Sequence, residues 1–288
     1  MFAAGHPGQT MPASIQEKAA GYRALHEGPA FVAGGCWDAG TARLLAHAGL
    51  PCLETSSAGV MFARGLPDGD GLATREIMLE NARAVAAAVD LPVTADLENG
   101  WAATPDGVAE TVRLAGETGI VGGSIEDTTG DRANPIHPLE VAVARVSAAV
   151  AAARALPFPF ALTARADQFM HGSRDMAEVI ARAQAFQAVG ADMILAPGIG
   201  NPDDLAALCQ AVEIPVAAIV GLSDTPLAVE TLGRLGVRRI IVGSAFARIA
   251  MAGILEAAQE IREQGTFRFT QGLMPFGELN GLFRRLAG

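Results

Sequence analysis

Charged residues of this 288-residue chain stand at the ends of short apolar runs, where they could hold a metal ion and an anionic ligand. Asp96 and Glu98 follow PVTA, Glu126 follows VGGSI, Arg165 follows FALTA, and Asp68 lies beyond CLETSSA. Carboxylates gathered at one place repel one another unless a cation compensates them, and Mg²⁺ prefers carboxylate and water oxygens. One arginine cannot balance so many acids. The pattern therefore favours a divalent metal site over a network of ion pairs.

Other residue counts argue against several kinds of function. Lys18 is the only lysine and precedes the first predicted strand, which argues against Schiff-base, pyridoxal phosphate and P-loop chemistry. No Gly-x-Ser-x-Gly sequence occurs, so we do not expect a serine triad. The formal net charge of −10 argues against binding to nucleic acid or to an anionic membrane.

Cysteine spacing and the absence of recognisable targeting segments indicate the cellular compartment. Its three cysteines are far apart in sequence, which is typical of reduced thiols. The sequence shows no signal peptide and no apolar run long enough to cross a membrane. We therefore expect a cytoplasmic protein.

The charged residues need a scaffold that brings the ends of several strands together. Apolar runs alternate with Ala- and Leu-rich segments of helical period in eight successive strand–helix units. This order predicts an α/β fold, a (β/α)8 TIM-type barrel, whose functional side chains lie at the carboxyl ends of the strands. Strand alternation predicts that Asp96 and Glu98 share a face. An open doubly wound sheet is the alternative, but the first strand lacks a following Gly-x-Gly-x-x-Gly.

We expect residues 1–288 to form a single barrel domain. Residues 1–30 are predicted to be an N-terminal helical segment, residues 31–265 the barrel and residues 266–288 a C-terminal helical tail. The tail does not fit the strand–helix series. We expect its phenylalanines to pack on the barrel or on another subunit, namely Phe267, Phe269, Phe276 and Phe283.

Several segments, taken in order, resemble the phosphoenolpyruvate mutase / isocitrate lyase superfamily. They are WDAGTARLLAHAGLPCLETSSAGV, GLPD, PVTADLENGW, GGSIED, LTARAD and VRRIIVGSA, within a match that covers nearly the whole chain. The resemblance implies a barrel with Mg²⁺ at its mouth, with Mn²⁺ as an alternative ion. It also implies a small anionic 2-oxo or 2-hydroxy acid as ligand. The assembly that it implies is a homotetramer, or a homodimer, with C-terminal helices exchanged between subunits.

The resemblance assigns the metal site to particular residues. Asp96 matches the direct metal ligand. Asp68, Glu98 and Glu126 match acids that hold the ion mostly through water. Arg165 matches the arginine that contacts the substrate oxygens.

The resemblance also places the substrate. Ser56, with the backbone N–H groups of Ser57 and Ala58, matches the clamp on the substrate carboxylate. Trp37 and Asp38 stand at the rim of the expected pocket and are further candidates for substrate binding. For Asp38, a cap on the helix after the first strand is the stronger interpretation.

One loop departs from the superfamily pattern. Isocitrate and methylisocitrate lyases carry Lys-Lys/Arg-Cys-Gly-His after strand 4, whereas this chain has TTGDRANPIHP, with neither cysteine nor lysine. The candidate catalytic residues are therefore Arg165, Glu126 and His137, of which His137 lies in this loop. The missing thiol predicts weak isocitrate cleavage.

These features together predict a Mg²⁺-dependent carbon–carbon lyase. Its substrate would be a small 2-oxo or 2-hydroxy di- or tricarboxylate, such as an oxaloacetate-, malate- or methylisocitrate-like acid, cleaved through a metal-stabilised enolate. The first alternative is C–P chemistry of the phosphonopyruvate hydrolase or mutase type. The second alternative is a protein that binds oxo acids without catalysis.

Overall fold

Eight parallel strands close into a barrel in the computed structural model, which describes residues 13–222 and 227–287. Each strand pairs with the next along the chain, and β8 returns to pair with β1. The predicted (β/α)8 barrel is confirmed. In chain order β1 to β8 are Phe31–Cys36, Cys52–Thr55, Val93–Asp96, Gly122–Glu126, Ala161–Arg165, Met193–Leu195, Val216–Ile219 and Val237–Ile241.

Helices fill the connections between the strands. Two of them begin at residues typical of helix starts, since Thr104 and Asn201 accept backbone hydrogen bonds as caps and a proline follows each. One short helix directly after β2 was not expected. The helices α1 to α11 are Ile15–Leu25, Ala39–His47, Ser57–Ala63, Arg75–Ala88, Pro105–Gly116, Leu139–Arg154, Met176–Ala188, Pro202–Ala211, Val229–Arg234, Ala245–Gln264 and Phe276–Ala287. Within the two described ranges, no helix combines the length and apolarity that a membrane crossing requires.

Helix α1 packs near the beginning of the barrel strands. The ring of His26 lies between Tyr22 of α1 and Phe31 of β1, with ring centroids 4.7 and 4.9 Å away. Tyr22 is buried and also contacts the Arg239 guanidinium of β8. The chain before the barrel is therefore helical over α1, while residues 1–12 of the predicted N-terminal segment lie outside the described residues.

The C-terminal helices leave a large apolar surface uncovered. In α10 only Ala247 is buried, and Leu255 is 71% exposed. Phe276, at the start of α11, is 84% exposed, so it does not pack on the barrel of its own chain. We call this surface the C-terminal apolar face, and it comprises Ile249, Ile254, Leu255, Phe267, Leu273 and Phe276.

Candidate active site

A cavity of about 390 Å³ opens at the carboxyl ends of the strands. This volume is in the range of small-molecule sites. Loops and strand ends from β2 to β8 contribute to its walls. The cavity brings together most of the residues that the sequence singled out, namely Ser56, Ser57, Ala58, Asp68, Asp96, Glu98, Glu126 and Arg165.

Arg165, the last residue of β5, is the electrostatic centre of this cavity. Its Nη1 lies 2.9 Å from Asp96 Oδ1, and its Nη2 lies 2.8 Å from Glu126 Oε2. The same Nη2 lies 2.7 Å from Asp167 Oδ2. One guanidinium therefore compensates three carboxylates.

Asp96, the last residue of β3, is held from three sides. Ser57 Oγ donates to its Oδ2 at 3.2 Å, and Ser124 Oγ donates to its Oδ1 at 3.4 Å. The backbone N–H of Glu98 donates to the same Oδ1 at 3.2 Å. Ser124 was not among the predicted site residues, although it precedes Glu126 by two positions in β4 and so shares its face.

Glu98 lines the cavity, but a turn places it there rather than the predicted strand. Strand β3 ends at Asp96, and the turn after it gives Glu98 a φ of +45° and Trp101 a φ of +48°. Non-glycine residues rarely adopt this left-handed conformation, which has an energetic cost. The turn lets Trp101 Nε1 donate to Glu98 Oε2 at 3.2 Å. The expectation that strand alternation places Glu98 is therefore wrong.

Burial and neighbouring charges favour the protonated forms of two site acids. Burial raises the pKa of Glu98 to about 8, and the charges of Asp96, Glu126 and Asp68 raise it further. Burial also raises the pKa of Glu126 to about 8, while Arg165 opposes the shift. The cavity therefore holds more carboxylates than its arginine can compensate.

This donor set fits a hard divalent cation. The cavity offers oxygen donors crowded beyond the local positive charge, which a divalent ion would relieve. In the part of the chain that the structure describes, no three His, Cys, Asp or Glu side chains converge closely enough to form a direct ligand set. Arg165 pairs with both Asp96 and Glu126. The geometry is compatible with one direct ligand, Asp96, and with the other acids acting through water.

The segment after β2 presents backbone donors to the same cavity. Ser56 caps α3 by accepting a hydrogen bond from the backbone N–H of Gly59 at 3.2 Å. Ser57 and Ala58 are the first residues of that helix, so their N–H groups have no intrahelical acceptor. Such N–H groups suit a carboxylate ligand.

Three predicted site residues do not line this cavity. Asp38 caps α2, with its Oδ1 accepting the backbone N–H of Thr41 at 2.7 Å. Trp37 precedes that cap. His137 is half-buried in the loop before α6 and donates its backbone N–H to the carbonyl of Asp127. The side chains of Trp37, Asp38 and His137 are thus apart from the charged cluster, and their functional roles stay predictions.

A second buried ion pair adjoins the cavity, and sequence reasoning missed it. Glu54 of β2 lines the cavity wall, and its Oε1 lies 3.0 Å from Arg239 Nη2 of β8. The two side chains are 7% and 1% exposed. Arg239 also donates to Thr94 Oγ1. The only signal in the sequence is charge within two short strands, namely Glu54 in CLET and Arg238 and Arg239 in VRRII.

Asp127 follows Glu126 but turns away from the cavity. Its Oδ1 accepts the backbone N–H of Asp167 at 2.9 Å, and its Oδ2 accepts Gln168 Nε2 at 2.7 Å. Arg182 of α7 completes the site, 3.0 Å from Oδ2. Asp127 therefore supports the segment that carries Asp167, one of the partners of Arg165.

Two loops meet above the cavity. Arg132, in the loop between β4 and α6, pairs with Asp70, in the loop between α3 and α4. The first of these loops folds back on itself through an antiparallel bridge between Thr128 and Ile136. Thr128 Oγ1 also donates to Glu126 Oε1 at 2.6 Å, so the loop is joined to the charged cluster.

Comparison with known proteins gives a consistent pattern. The family model described as phosphoenolpyruvate phosphomutase matches residues 22–262. An uncharacterised protein of Mycobacterium tuberculosis is 31% identical over 88% of this chain and 92% of its own length. The 2-methylisocitrate lyase of Escherichia coli is 31% identical over 67% of this chain and 66% of its own length. A Burkholderia cenocepacia crystal structure classed as a lyase/mutase is 49% identical, with a TM-score of 0.91, and the match covers 93% of this chain and 96% of that one.

Proposed function

The chain belongs to the phosphoenolpyruvate phosphomutase family, within the superfamily that includes isocitrate lyase, and on that premise we propose that it is a Mg²⁺-dependent carbon–carbon lyase. Its substrate is a small 2-oxo or 2-hydroxy acid with more than one carboxylate. The observation that carries the proposal is the cluster in which one guanidinium, that of Arg165, faces Asp96, Glu126 and Asp167 within one cavity. The similarity to a 2-methylisocitrate lyase supports the same reaction class.

The ion would be held at Asp96 directly and at Asp68, Glu98 and Glu126 through water. A bound Mg²⁺ supplies Lewis-acid stabilisation of the negative charge that develops next to the broken C–C bond. Mn²⁺ offers the same coordination chemistry.

This chain's own residues would position the substrate. The backbone N–H groups of Ser57 and Ala58 bind its carboxylate, with Ser56 holding the turn that presents them. Arg165 stabilises negative charge on the substrate oxygens. Burial raises the pKa of Glu126 to about 8 while Arg165 opposes the shift, and a carboxyl group with a raised pKa is suited to proton transfer.

We test the metal site with Asp96→Ala. Calorimetric titration of oxalate in Mg²⁺ should show at least ~100-fold weaker binding, because loss of outer-shell partners alone costs 10–100-fold. Asp106→Ala, on the exposed side of α5, is the matched control and should bind oxalate as the wild type does. Unchanged affinity in Asp96→Ala would contradict the metal proposal.

C–P chemistry is the second candidate function, and one observation favours it. Thr128, Asp131 and Arg132 of the loop after β4 line the cavity and give it polar groups that could contact a phosphonate. Phosphate release from phosphonopyruvate would select this candidate. Tight oxo-acid binding without turnover of any acid would instead identify a non-catalytic binding protein.

The proposal also includes the oligomeric state of the protein and its cellular compartment. We propose a cytoplasmic homotetramer, or a homodimer, whose C-terminal helices pack on a neighbouring subunit. Support comes from the C-terminal apolar face, which its own chain leaves uncovered.

A further inference from the structure

The turn after β3 has an unusual backbone conformation. Three of its residues have a positive φ, namely Glu98 at +45°, Gly100 at +77° and Trp101 at +48°. Glycine adopts such values freely, whereas Glu98 and Trp101 do so at an energetic cost. A strained conformation of this kind persists only where the surrounding structure enforces it. Contacts from elsewhere in the chain must therefore hold this turn.

Side chains from two helices bind the carbonyl groups of the turn. Arg145 of α6 donates from Nη1 to the carbonyl of Ala102 at 3.0 Å and from Nη2 to the carbonyl of Asn99. Thr111 of α5 donates its hydroxyl to the carbonyl of Gly100 at 2.7 Å. One guanidinium thus bridges two carbonyls of the same turn, and it fixes their separation because its N–H groups form a rigid fork.

Arg145 is buried without a carboxylate partner. The residue is 1% exposed, and among the described residues its Nε has no hydrogen-bond partner. Burial lowers the pKa of its guanidinium, and no carboxylate opposes the shift. A methionine would fill a similar space without the cost of burying a charge. The bridge between the two carbonyls is therefore what this arginine provides and an apolar side chain does not.

The turn carries groups that belong to the charged cluster. Glu98, Asn99 and Trp101 line the cavity, whereas Arg145 is outside its lining. The backbone N–H of Glu98 donates to Asp96 Oδ1 at 3.2 Å, and Trp101 Nε1 donates to Glu98 Oε2 at 3.2 Å. A change in the shape of the turn would therefore displace the Glu98 carboxylate and weaken a contact to Asp96.

We propose that Arg145 is a positioning residue, which holds the turn after β3 in its left-handed conformation and thereby places Glu98 for the metal ion. The part of this inference that concerns the ion rests on the proposed function. The hold on the turn is a property of the metal-free chain and is tested separately.

Hydrogen exchange of the metal-free protein, followed by mass spectrometry, tests the hold on the turn. In Arg145→Met the peptide that covers residues 98–104 should exchange at least ~10-fold faster than in the wild type, because two hydrogen bonds that oppose local opening are lost. Arg154→Met is the matched control. Arg154 also lies on α6 and donates to a carbonyl, that of Gly190 at 2.9 Å, but it does so before the start of β6. It should leave the exchange of residues 98–104 unchanged.

A double-mutant cycle tests whether Arg145 acts through Glu98. Binding of Mn²⁺ is measured from the electron paramagnetic resonance signal of the free ion, which needs no substrate. Arg145→Met should weaken Mn²⁺ binding ~10-fold, as expected for a residue that orients a metal-binding group. In a Glu98→Gln background the same change should weaken binding at most ~3-fold, because the carboxylate that Arg145 positions is already absent.

Arg145→Lys separates the fork from the charge. It keeps a cation at the position but supplies one compact ammonium group, which does not span both carbonyls. Exchange of residues 98–104 should therefore stay at least ~3-fold faster than in the wild type. Should Arg145→Met fail to fold, Arg145→Lys carries both measurements.

The outcomes separate this inference from the proposed function. Wild-type exchange of residues 98–104 in the Arg145 variants, or equally faster exchange in every peptide of the chain, would overturn the hold on the turn. An equal loss of Mn²⁺ binding with and without Glu98 would overturn the action through that residue. Absence of Mn²⁺ binding in the wild type would contradict the proposed function, while hydrogen exchange would still decide whether Arg145 holds the turn.

Discussion

A single arginine determines how the residues of the cavity share charge. Arg165 contacts Asp96, Glu126 and Asp167, whereas among the described residues no arginine forms an ion pair with Glu98. Trp101 provides its hydrogen bond instead. Burial raises the pKa of Glu98 to about 8, and the charges of Asp96, Glu126 and Asp68 add to the shift.

This shift predicts how the stability of the metal-free protein depends on pH. In the folded chain Glu98 keeps its proton up to about pH 8, whereas in the unfolded chain it loses the proton near its ordinary pKa of 4.5. The folded state thus binds more protons between these values, and its stability falls as the pH rises through this window. Thermal unfolding without Mg²⁺ should show Tm falling by a few degrees more from pH 5 to 8.5 in the wild type than in Glu98→Gln.

The comparison between the two proteins reports on Glu98 and on the site acids that interact with it, because all other titrating groups are shared. Parallel Tm profiles would show that Glu98 ionises at an ordinary pH. Added Mg²⁺ should raise the Tm of the wild type most at the alkaline end, where the acid is charged and the ion binds without displacing a proton.

At the scale of elements, two successive acids at the end of β4 point in opposite directions and have different roles. Glu126, its last residue, faces the cavity, while the next residue, Asp127, faces α7. Asp127 is buried and its hydrogen-bond partners come from the segment after β5 and from Arg182 of α7. This contact fixes where the end of β5 lies, and so where Arg165 lies.

The buried pair predicts a large effect at a position outside the cavity. Arg182→Met would leave the Asp127 carboxylate buried without its cation, which costs about 3–5 kcal/mol. Urea unfolding should show a loss of this size in the free energy of unfolding, together with weaker oxalate binding because Asp167 is no longer held in place.

A surface arginine provides the control. Arg113 of α5 pairs with Glu110 and Glu117, but all three side chains are about half exposed. Arg113→Met should cost only about 0–1 kcal/mol and leave oxalate binding unchanged. Similar losses in the two variants would contradict the structural role given to Arg182.

The sequence predicted the barrel because strands buried on both faces read as apolar runs, and it predicted Asp96, Glu126 and Arg165 because charge interrupts those runs at their ends. It could not predict Glu54, since an acid in mid-strand can face either the helices or the barrel interior. Glu98 was found for the wrong reason, because the turn after β3 puts two non-glycine residues, Glu98 and Trp101, in the left-handed region beside Gly100, and their residue types do not indicate that conformation. The short α3 was missed because SAGVMFA is too brief for a helical period to show.

At the scale of the whole molecule, the isolated chain does not explain why the C-terminal apolar face is exposed. Soluble monomers rarely expose large apolar patches, and six large apolar side chains of the C-terminal segment are exposed here. Leu255 and Phe276 are among its most exposed side chains. A neighbouring subunit would cover the face and remove these side chains from water.

Charge placed on this face should therefore disrupt assembly. We expect the wild type to sediment as an oligomer, and Leu255→Glu/Phe276→Glu to sediment as a smaller species, because burying an unpaired carboxylate opposes association. Val141→Glu changes an exposed residue of α6 and is the control that should leave the mass unchanged. A wild-type monomer at micromolar concentration would contradict the proposed assembly.

The strained turn after β3 also gives the protein an internal optical reporter. The chain has two tryptophans, and the indole of Trp101 is hydrogen-bonded to Glu98 at the edge of the cavity. Indole emission responds to the charge and hydration beside it. Arrival of an ion or an acid at this cavity is thus coupled to a chromophore in the same hydrogen-bond network, so occupancy can be followed in the native chain without a label.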